Sequence, residues 1–154
     1  MIILGIDPGL QKTGWGIITK NGSALGYIAS GLIKTDAKTD LAQRLALLHQ
    51  ELSIIIKEYR PETAAVEETF VNKNPASALK LGQARGVVLA VPAILGLSVA
   101  EYSANKVKKS VVGAGHAAKE QVQMMIRTLL PASGKITEDE ADALAVAITH
   151  AHHH

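Results

Sequence analysis

The spacing of apolar positions in the first third of the chain predicts three strands. Residues 2–6 are continuously apolar and end at Asp7, in an Asp-Pro-Gly turn. A short apolar run without polar alternation indicates a strand buried on both faces. Residues 13–19 and 25–33 predict two further strands, and the Asn21-Gly22 pair between them favours a hairpin turn. These segments predict an antiparallel meander.

The next segment changes to a helical period and then returns to a strand. Leucines and isoleucines at steps of three and four predict an amphipathic helix over residues 39–59, which Pro61 closes. Residues 63–66 then predict a short buried strand that ends in Glu67 and Glu68. The opening pattern is therefore repeated: a buried strand followed by an acid. A polar loop over residues 71–75 comes next.

The second half of the chain is mostly helical. A long helix is predicted from about residue 76 into the nineties, followed by a strand at residues 97–100 and helices at residues 103–111 and 118–130. The last helix begins at Thr137, which forms a capping box with Glu140.

The long helix carries a stripe of small side chains at four-residue spacing: Ala78, Gly82, Gly86 and Ala90. Such a stripe permits the close approach of another helix. The partner helix can belong to the same domain or to a second subunit, and the pattern alone does not choose between them.

Composition limits the class of protein. The 154 residues are 47% hydrophobic and 19% charged, which predicts one folded domain over residues 1–151, and the order of strands and helices predicts the α/β class. Residues 152–154 are interpreted as the remnant of a histidine tag. The absence of cysteine excludes disulfides and thiolate metal sites and fits the cytoplasm. We find no pattern typical of a signal peptide or a membrane span.

The charge is unevenly distributed along the chain. Residues 73–127 hold eight basic residues and two acids, whereas the remainder holds eight basic residues and twelve acids. A basic middle with acids elsewhere indicates a polyanionic partner and a separate carboxylate site. Chance clustering on a solvated surface is the simpler alternative.

Four acids stand out by position. Two of them follow predicted buried strands and two lie in the first turns of the last helix: Asp7, Glu67, Asp139 and Asp142. Each alone can be an ordinary turn acid or an acid that favours a helix dipole. If packed together they would repel one another unless cations were bound. Carboxylates without His or Cys suit Mg²⁺ or Mn²⁺, and two such ions about 4 Å apart can clamp a phosphodiester undergoing displacement.

The chain resembles a known family over almost its whole length, from residue 2 to about residue 150. The matching stretches are ILGIDPG, TGWG, VEETFVNKN, SALKLGQARG, VKKSVVG, KEQVQ and ADALAVAITH. They are similar to the RuvC family of bacterial Holliday-junction resolvases, which are crossover junction endodeoxyribonucleases of the ribonuclease-H-like superfamily.

The resemblance implies a ribonuclease-H-like fold with a five-stranded mixed sheet, three antiparallel strands and then two parallel ones, and helices on both faces. It also implies structure-selective cutting of four-way DNA junctions in homologous recombination and DNA repair. The cuts would be paired symmetric nicks that leave 5′-phosphate and 3′-hydroxyl ends. The implied catalytic and metal-binding residues are Asp7, Glu67, Asp139 and Asp142, with two Mg²⁺ per active site and Mn²⁺ as a substitute.

The resemblance further implies residues that bind DNA and a set of partners. The implied DNA-binding positions are Phe70, Lys73, Arg85, Lys108 and Lys119, with Phe70 stacking on a base near the junction centre. Lys106 and Lys109 lie in the same stretch with weaker motif support. The predicted partners are a second copy of the chain and, by the resemblance, the RuvA and RuvB branch-migration complex. The helix with the stripe of Ala78, Gly82, Gly86 and Ala90 is our candidate for the interface between the two copies.

Three alternative functions stay open on the residues alone. One is another ribonuclease-H-like nuclease with a different nucleic-acid substrate, and the second is a non-catalytic module that binds junctions. The third is an actin-like ATPase or sugar kinase, which also opens with a strand and an acidic turn. That class needs two such lobes, and 154 residues with no second copy do not supply them.

Overall fold

A computed structural model of the chain describes residues 1–68 and 74–154. The strands are β1 (Ile2–Asp7), β2 (Lys12–Asn21), β3 (Ala24–Lys34), β4 (Thr63–Glu68) and β5 (Ser98–Ser103). The helices are α1 (Leu41–Tyr59), α2 (Pro75–Ile94), α3 (Ala104–Val112), α4 (Lys119–Leu129) and α5 (Glu138–His152), with a short 3₁₀ turn at Pro131–Ser133.

The strands form one mixed sheet in the order β3-β2-β1-β4-β5. The β1–β2 and β2–β3 pairs are antiparallel, whereas the β1–β4 and β4–β5 pairs are parallel. This topology confirms the predicted α/β class and the arrangement of three antiparallel strands followed by two parallel ones.

Several predicted boundaries were wrong by a few residues. The last strand continues past residue 100 to Ser103. The predicted polar loop included Pro75, but Pro75 is the first residue of α2, and the Asn74 side chain caps this helix by accepting hydrogen bonds from the next backbone amides. Proline suits this position because its missing N–H has no partner in the first turn. Residues 71–73 of that loop lie outside the described residues.

The two faces of the sheet pack against different helices, so the domain has two hydrophobic cores. Side chains alternate along β1. Ile3 belongs to the core beneath α3, α4 and α5, whereas Leu4 and Ile6 belong to the core beneath α1 and α2. The predicted helices on both faces are therefore confirmed. In the described part of the chain, no helix is both long and apolar enough to span a membrane.

Helix α5 lies unusually close to the centre of the sheet. A Cβ atom at Gly5 of β1 would overlap the carbonyl oxygen of Ala143. Glycine is therefore required at this position by the close approach of the helix backbone. Residues Ala143–Ala147 of α5 are all buried, with exposed fractions of 1% or less.

In the described part of the chain, no other helix packs closely against the small-residue stripe on α2. Helix α2 buries Ala84, Val88, Val91 and Pro92 on its inner side. Three of the four stripe positions are exposed and Ala78 is half-buried. A Cβ atom added at Gly82 or Gly86 would meet nothing within 4 Å among the described residues. The alternative of close helix packing inside the domain was therefore wrong, and the stripe faces outward.

Candidate active site

Asp7 ends β1 on the face of the sheet that α5 covers. It follows Ile3 and Gly5 at intervals of two residues, and both of those lie against the α5 side. The turn after Asp7 is held by Thr13 of β2, whose hydroxyl donates to the carbonyl of Gly9 at 2.5 Å and accepts from the Gly9 amide at 3.3 Å. The position of Asp7 is therefore fixed by two neighbouring strands.

Glu67 lies beside Asp7 because β4 runs parallel to β1. Gly5 pairs with Ala65 and Ile6 with Val66, so Asp7 and Glu67 come next on adjacent strands. Ala65 is buried in the core on the α5 side, and Glu67 shares its face by alternation. Glu68 is directed to the opposite face by the same rule. The geometry therefore favours Glu67 over its neighbour.

Asp139 and Asp142 come from the first turns of α5. The start of this helix is capped as predicted: the Thr137 hydroxyl accepts from the Glu140 amide at 3.2 Å, and the Glu140 carboxylate accepts from the Thr137 amide at 3.3 Å. The first turn lies directly on β2, since a Cβ atom at Gly14 would overlap the carbonyl oxygen of Asp139. The spacing of three residues places both acids on one side of the helix.

These elements bring the predicted acids together. One carboxylate oxygen from each of Asp7, Asp139 and Asp142 lies within 4.8 Å of the other two. Glu67 is outside this group of three, but its carboxylate lies within hydrogen-bonding reach of Asp7. Four carboxylates from β1, β4 and α5 thus meet at one edge of the sheet, and all four are half-buried.

The crowding of acids changes their proton affinity. Burial, the charges of Glu67 and Asp142, and a hydrogen bond that protonated Asp7 donates to Glu67 raise the pKa of Asp7 to about 9. Burial and the charge of Glu67 raise the pKa of Asp142 to about 7. Burial also raises the pKa of Glu67, against the opposing effects of the hydrogen bond with Asp7 and of nearby cations. Ionising all of these acids together is therefore unfavourable, because the nearby basic residues do not offset their burial and mutual repulsion.

The donor set fits a hard divalent cation. All the clustered ligands are carboxylate oxygens, which suit Mg²⁺, Mn²⁺ or Ca²⁺ and do not select softer metals. A bound cation would offset the repulsion that raises the pKa values of these acids.

The structure places two of the predicted DNA-binding lysines near the acids. The charges of Lys108 and Lys119 both lower the pKa of Glu67, so each lies within electrostatic reach of it. Lys108 is half-buried on α3, whereas Lys119 is exposed at the start of α4 and forms an ion pair with Glu138. The predicted positions Phe70 and Lys73 lie outside the described residues.

Arg85 makes contacts that the sequence did not predict. Its guanidinium donates to the backbone carbonyl of Glu67 and forms an ion pair with Glu101 of β5. The Arg85 side chain is only 16% exposed. Arg85 therefore ties α2 to the ends of β4 and β5, and its predicted contact with DNA stays a prediction.

The sequence also did not predict a hydrogen-bonded link between α5 and β3. The Ser30 hydroxyl donates to Glu140 at 2.5 Å and lies 2.9 Å from the Tyr27 hydroxyl. Glu140 therefore anchors the first turn of α5 to the sheet while it caps the helix. The capping box was visible in the sequence, but no local pattern relates Ser30 to a residue 110 positions later.

Comparison with known proteins shows which family the chain belongs to. A family model described as "Crossover junction endodeoxyribonuclease RuvC" matches residues 3–150. The chain is 61% identical to the crossover junction endodeoxyribonuclease RuvC of Paramagnetospirillum magneticum, over 99% of this chain and 92% of the relative. It is 61% identical to the RuvC of Xanthobacter autotrophicus, over 98% of this chain and 89% of the relative.

Solved structures give the same relationship. The RuvC of T. thermophilus in complex with a Holliday junction substrate superposes with a TM-score of 0.91 at 35% identity, over 98% of this chain and 93% of that one. The yeast mitochondrial Holliday junction resolvase Ydc2 superposes with a TM-score of 0.71 at 13% identity, over 97% of this chain and 77% of that one, and it shows the shared fold alone. The resemblance found in the sequence motifs is therefore confirmed, and the chain belongs to the RuvC family of crossover junction endodeoxyribonucleases.

Proposed function

We propose that this chain is a Mg²⁺-dependent endonuclease that cuts four-way DNA junctions by paired symmetric nicks. The observation that carries the proposal is the meeting of Asp7, Glu67, Asp139 and Asp142 at one sheet edge, in a member of this family. A relative that covers nearly the whole chain has been solved with a Holliday junction substrate. The proposed role is the resolution of such junctions in homologous recombination and DNA repair, in the cytoplasm.

The four acids are the proposed catalytic residues because they are the groups that can hold divalent cations. Two bound Mg²⁺ ions, or Mn²⁺ in their place, would activate the attacking water and stabilise the departing 3′ oxygen. The products would carry 5′-phosphate and 3′-hydroxyl ends. The chain's own contribution is to hold the acids in position from β1, β4 and α5, with Gly14 and Thr13 fixing the two sides of the site.

Basic residues near the acids are the proposed contacts for the DNA backbone. Lys108 and Lys119 lie beside the carboxylates on α3 and α4. A phosphate next to four acids would be repelled, so nearby ammonium groups are needed to offset that repulsion. Phe70, Lys73 and Arg85 are further proposed DNA-binding residues.

We further propose that the active form is a homodimer. A four-way junction has two-fold symmetry and two strands to be cut, which suits two active sites related by a two-fold axis. The stripe of Ala78, Gly82, Gly86 and Ala90 on α2 is the proposed interface, because it permits close approach of a partner helix and three of its four positions are exposed. Cooperation with RuvA and RuvB is proposed from the family alone.

The decisive experiment uses an end-labelled synthetic four-way junction. The protein and its Asp7→Asn variant are each incubated with Mg²⁺, and products are separated on a denaturing gel beside a plain duplex of the same sequence. We expect symmetric nicks in the junction alone, and none with the variant, which should still bind the junction as well as or better than the parent. Equal cutting of the duplex would support a different nucleic-acid substrate, and cutting by the variant at the parental rate would contradict the role of Asp7.

A further inference from the structure

Glu138 and Lys119 form an ion pair between two helix ends at the edge of the site. Lys119 is the first residue of α4 and Glu138 is the first residue of α5. Their side chains are 67% and 48% exposed, so solvent and ligands can reach both charges. The hydrogen bond that Lys119 donates to Glu138 raises the pKa of Lys119.

The pair lies close enough to the acids to influence them. The charge of Glu138 raises the pKa of Asp142, whereas that of Lys119 lowers it. Glu138 is nevertheless outside the group of carboxylate oxygens that lie within 4.8 Å of one another. The Glu138 carboxylate instead accepts a hydrogen bond from Lys119.

The helix dipole has opposite effects on Glu138 and Lys119. A negative charge is favoured at the start of a helix, whereas a positive charge is disfavoured there by the helix dipole. Glu138 is therefore well placed without a partner, whereas Lys119 requires an anion nearby. In the free protein Glu138 is the anion bonded to Lys119, and a DNA phosphate is the same kind of partner for an ammonium group.

We propose that Glu138 is an internal competitor for DNA, which occupies Lys119 in the free protein and is displaced by a junction phosphate. The inference rests on the proposed function, since it assumes that Lys119 contacts the DNA backbone. Glu138 thereby lowers the affinity for the junction. The cost is small, because exposed ion pairs are weak.

Equilibrium binding to a synthetic four-way junction tests this role. Fluorescence anisotropy is measured in EDTA, so that no strand is cut. Removing the charge by Glu138→Gln should tighten binding about two- to fivefold at low salt, with the gain shrinking as salt screens the pair. The matched control is Glu120→Gln, which removes an exposed charge next to Lys119 without breaking the ion pair.

A double-mutant cycle separates the lysine contact from general repulsion. The gain from Glu138→Gln should vanish in a Lys119→Ala background, and Lys119→Ala alone should weaken binding and reduce the slope of log K against log salt by about one. An equal gain from Glu120→Gln, or a gain that persists without Lys119, would overturn the proposal. If the parent binds the junction and Glu138→Gln binds it with unchanged affinity, the Glu138 proposal is overturned and the proposed function is not. If the parent binds no junction, the proposed function is overturned as well.

Discussion

At the scale of single residues, the site depends on acids whose ionised form is disfavoured by burial and mutual repulsion. Asp7 shows this most clearly, because its pKa is raised to about 9. The sequence predicted the four positions through strand ends, helix spacing and family motifs. It did not predict the choice of Glu67 over Glu68 from local pattern, since that choice follows from strand pairing with β1.

The raised pKa of Asp7 predicts how the metal-free protein responds to pH. The folded state retains a proton on Asp7 up to about pH 9, whereas the unfolded chain loses it near pH 4. Stability contributed by the protonated group is therefore complete below pH 4 and is lost as pH rises towards 9. Chemical unfolding in EDTA should show Asp7→Asn to be more stable than the parent at pH 8, with a smaller difference at pH 5.

The control for this measurement is Asp40→Asn, which removes an exposed carboxylate whose side chain makes no capping bond. Its effect should not follow the same pH trend. Mg²⁺ should reduce the advantage of Asp7→Asn, since a bound cation stabilises the charged carboxylates of the parent. A parallel pH dependence for Asp7→Asn and the parent would contradict the assignment of the proton to Asp7.

At the scale of elements, short-range sequence patterns predicted the features that depend only on residues close together in the chain. The capping box at Thr137, the helical spacing of α1 and the hairpin between β2 and β3 all follow from short-range patterns, and all are present. The sequence did not indicate why glycines occur in β1 and β2. The reason depends on which helix packs against each strand. Gly14 is needed only because the first turn of α5 rests on it.

Gly14→Ala should therefore disturb the site without touching a carboxylate. The added Cβ would overlap the carbonyl of Asp139, so α5 must move away from β2 and carry Asp139 away from Asp7. Overpacking of this kind costs about 1–3 kcal/mol of stability, and junction cleavage should fall more than junction binding. Urea unfolding and the gel assay measure the two effects.

Gly115→Ala is the matched control, since among the described residues its Cβ would meet only one atom, at 3.8 Å. It should leave stability and cleavage nearly unchanged. Full cleavage by Gly14→Ala would mean that the acids do not require the observed contact between α5 and β2.

The far end of α5 is tied to the sheet by a buried histidine. His150 is 1% exposed, and its ring nitrogens lie 2.8 Å from the Thr63 hydroxyl and 2.7 Å from the Tyr102 hydroxyl. Burial, together with the nearby His154 and His153, lowers its pKa to about 4. The neutral ring thus joins α5 to β4 and β5.

This histidine predicts a loss of stability in acid. Above pH 6.5 the ring is neutral in both states, but between about pH 6.5 and 4 the unfolded chain takes up a proton that the folded one does not. The free energy of unfolding should fall by about 3 kcal/mol from this group over that range. His150→Gln should show a shallower fall and the exposed His49→Gln the parental one, whereas parallel profiles for all three proteins would contradict the prediction.

At the scale of the whole molecule, the uneven charge of the sequence has a structural counterpart. The basic middle of the chain supplies α3 and α4, and the acids of the ends supply the sheet edge and α5, so opposite charges meet at one site. The sequence predicted that basic and acidic residues are concentrated in different parts of the chain, but it did not predict which of them form ion pairs. Arg85–Glu101 and Lys119–Glu138 join residues 16 and 19 positions apart, and only the fold brings them into contact.

The proposed dimer can be tested by changing the small-residue stripe on α2, which faces outward. Gly86→Glu should fold normally, because nothing described lies within 4 Å of its Cβ and Glu is about 1 kcal/mol better than Gly inside a helix. If two α2 helices approach closely at this stripe, the new side chains must separate them. Sedimentation should then report monomers, while the parent sediments as a dimer.

The matched control is Gln50→Glu, which adds the same charge to an exposed position on α1. On a junction, the Gly86→Glu monomer should produce single nicks in place of paired ones, because one molecule holds one set of four acids. Nicked product without linear product from a plasmid that carries a cruciform would report this directly. A Gly86→Glu protein that remains dimeric and makes paired nicks would place the interface on another surface, and the symmetry argument for paired cutting would then rest on that surface instead.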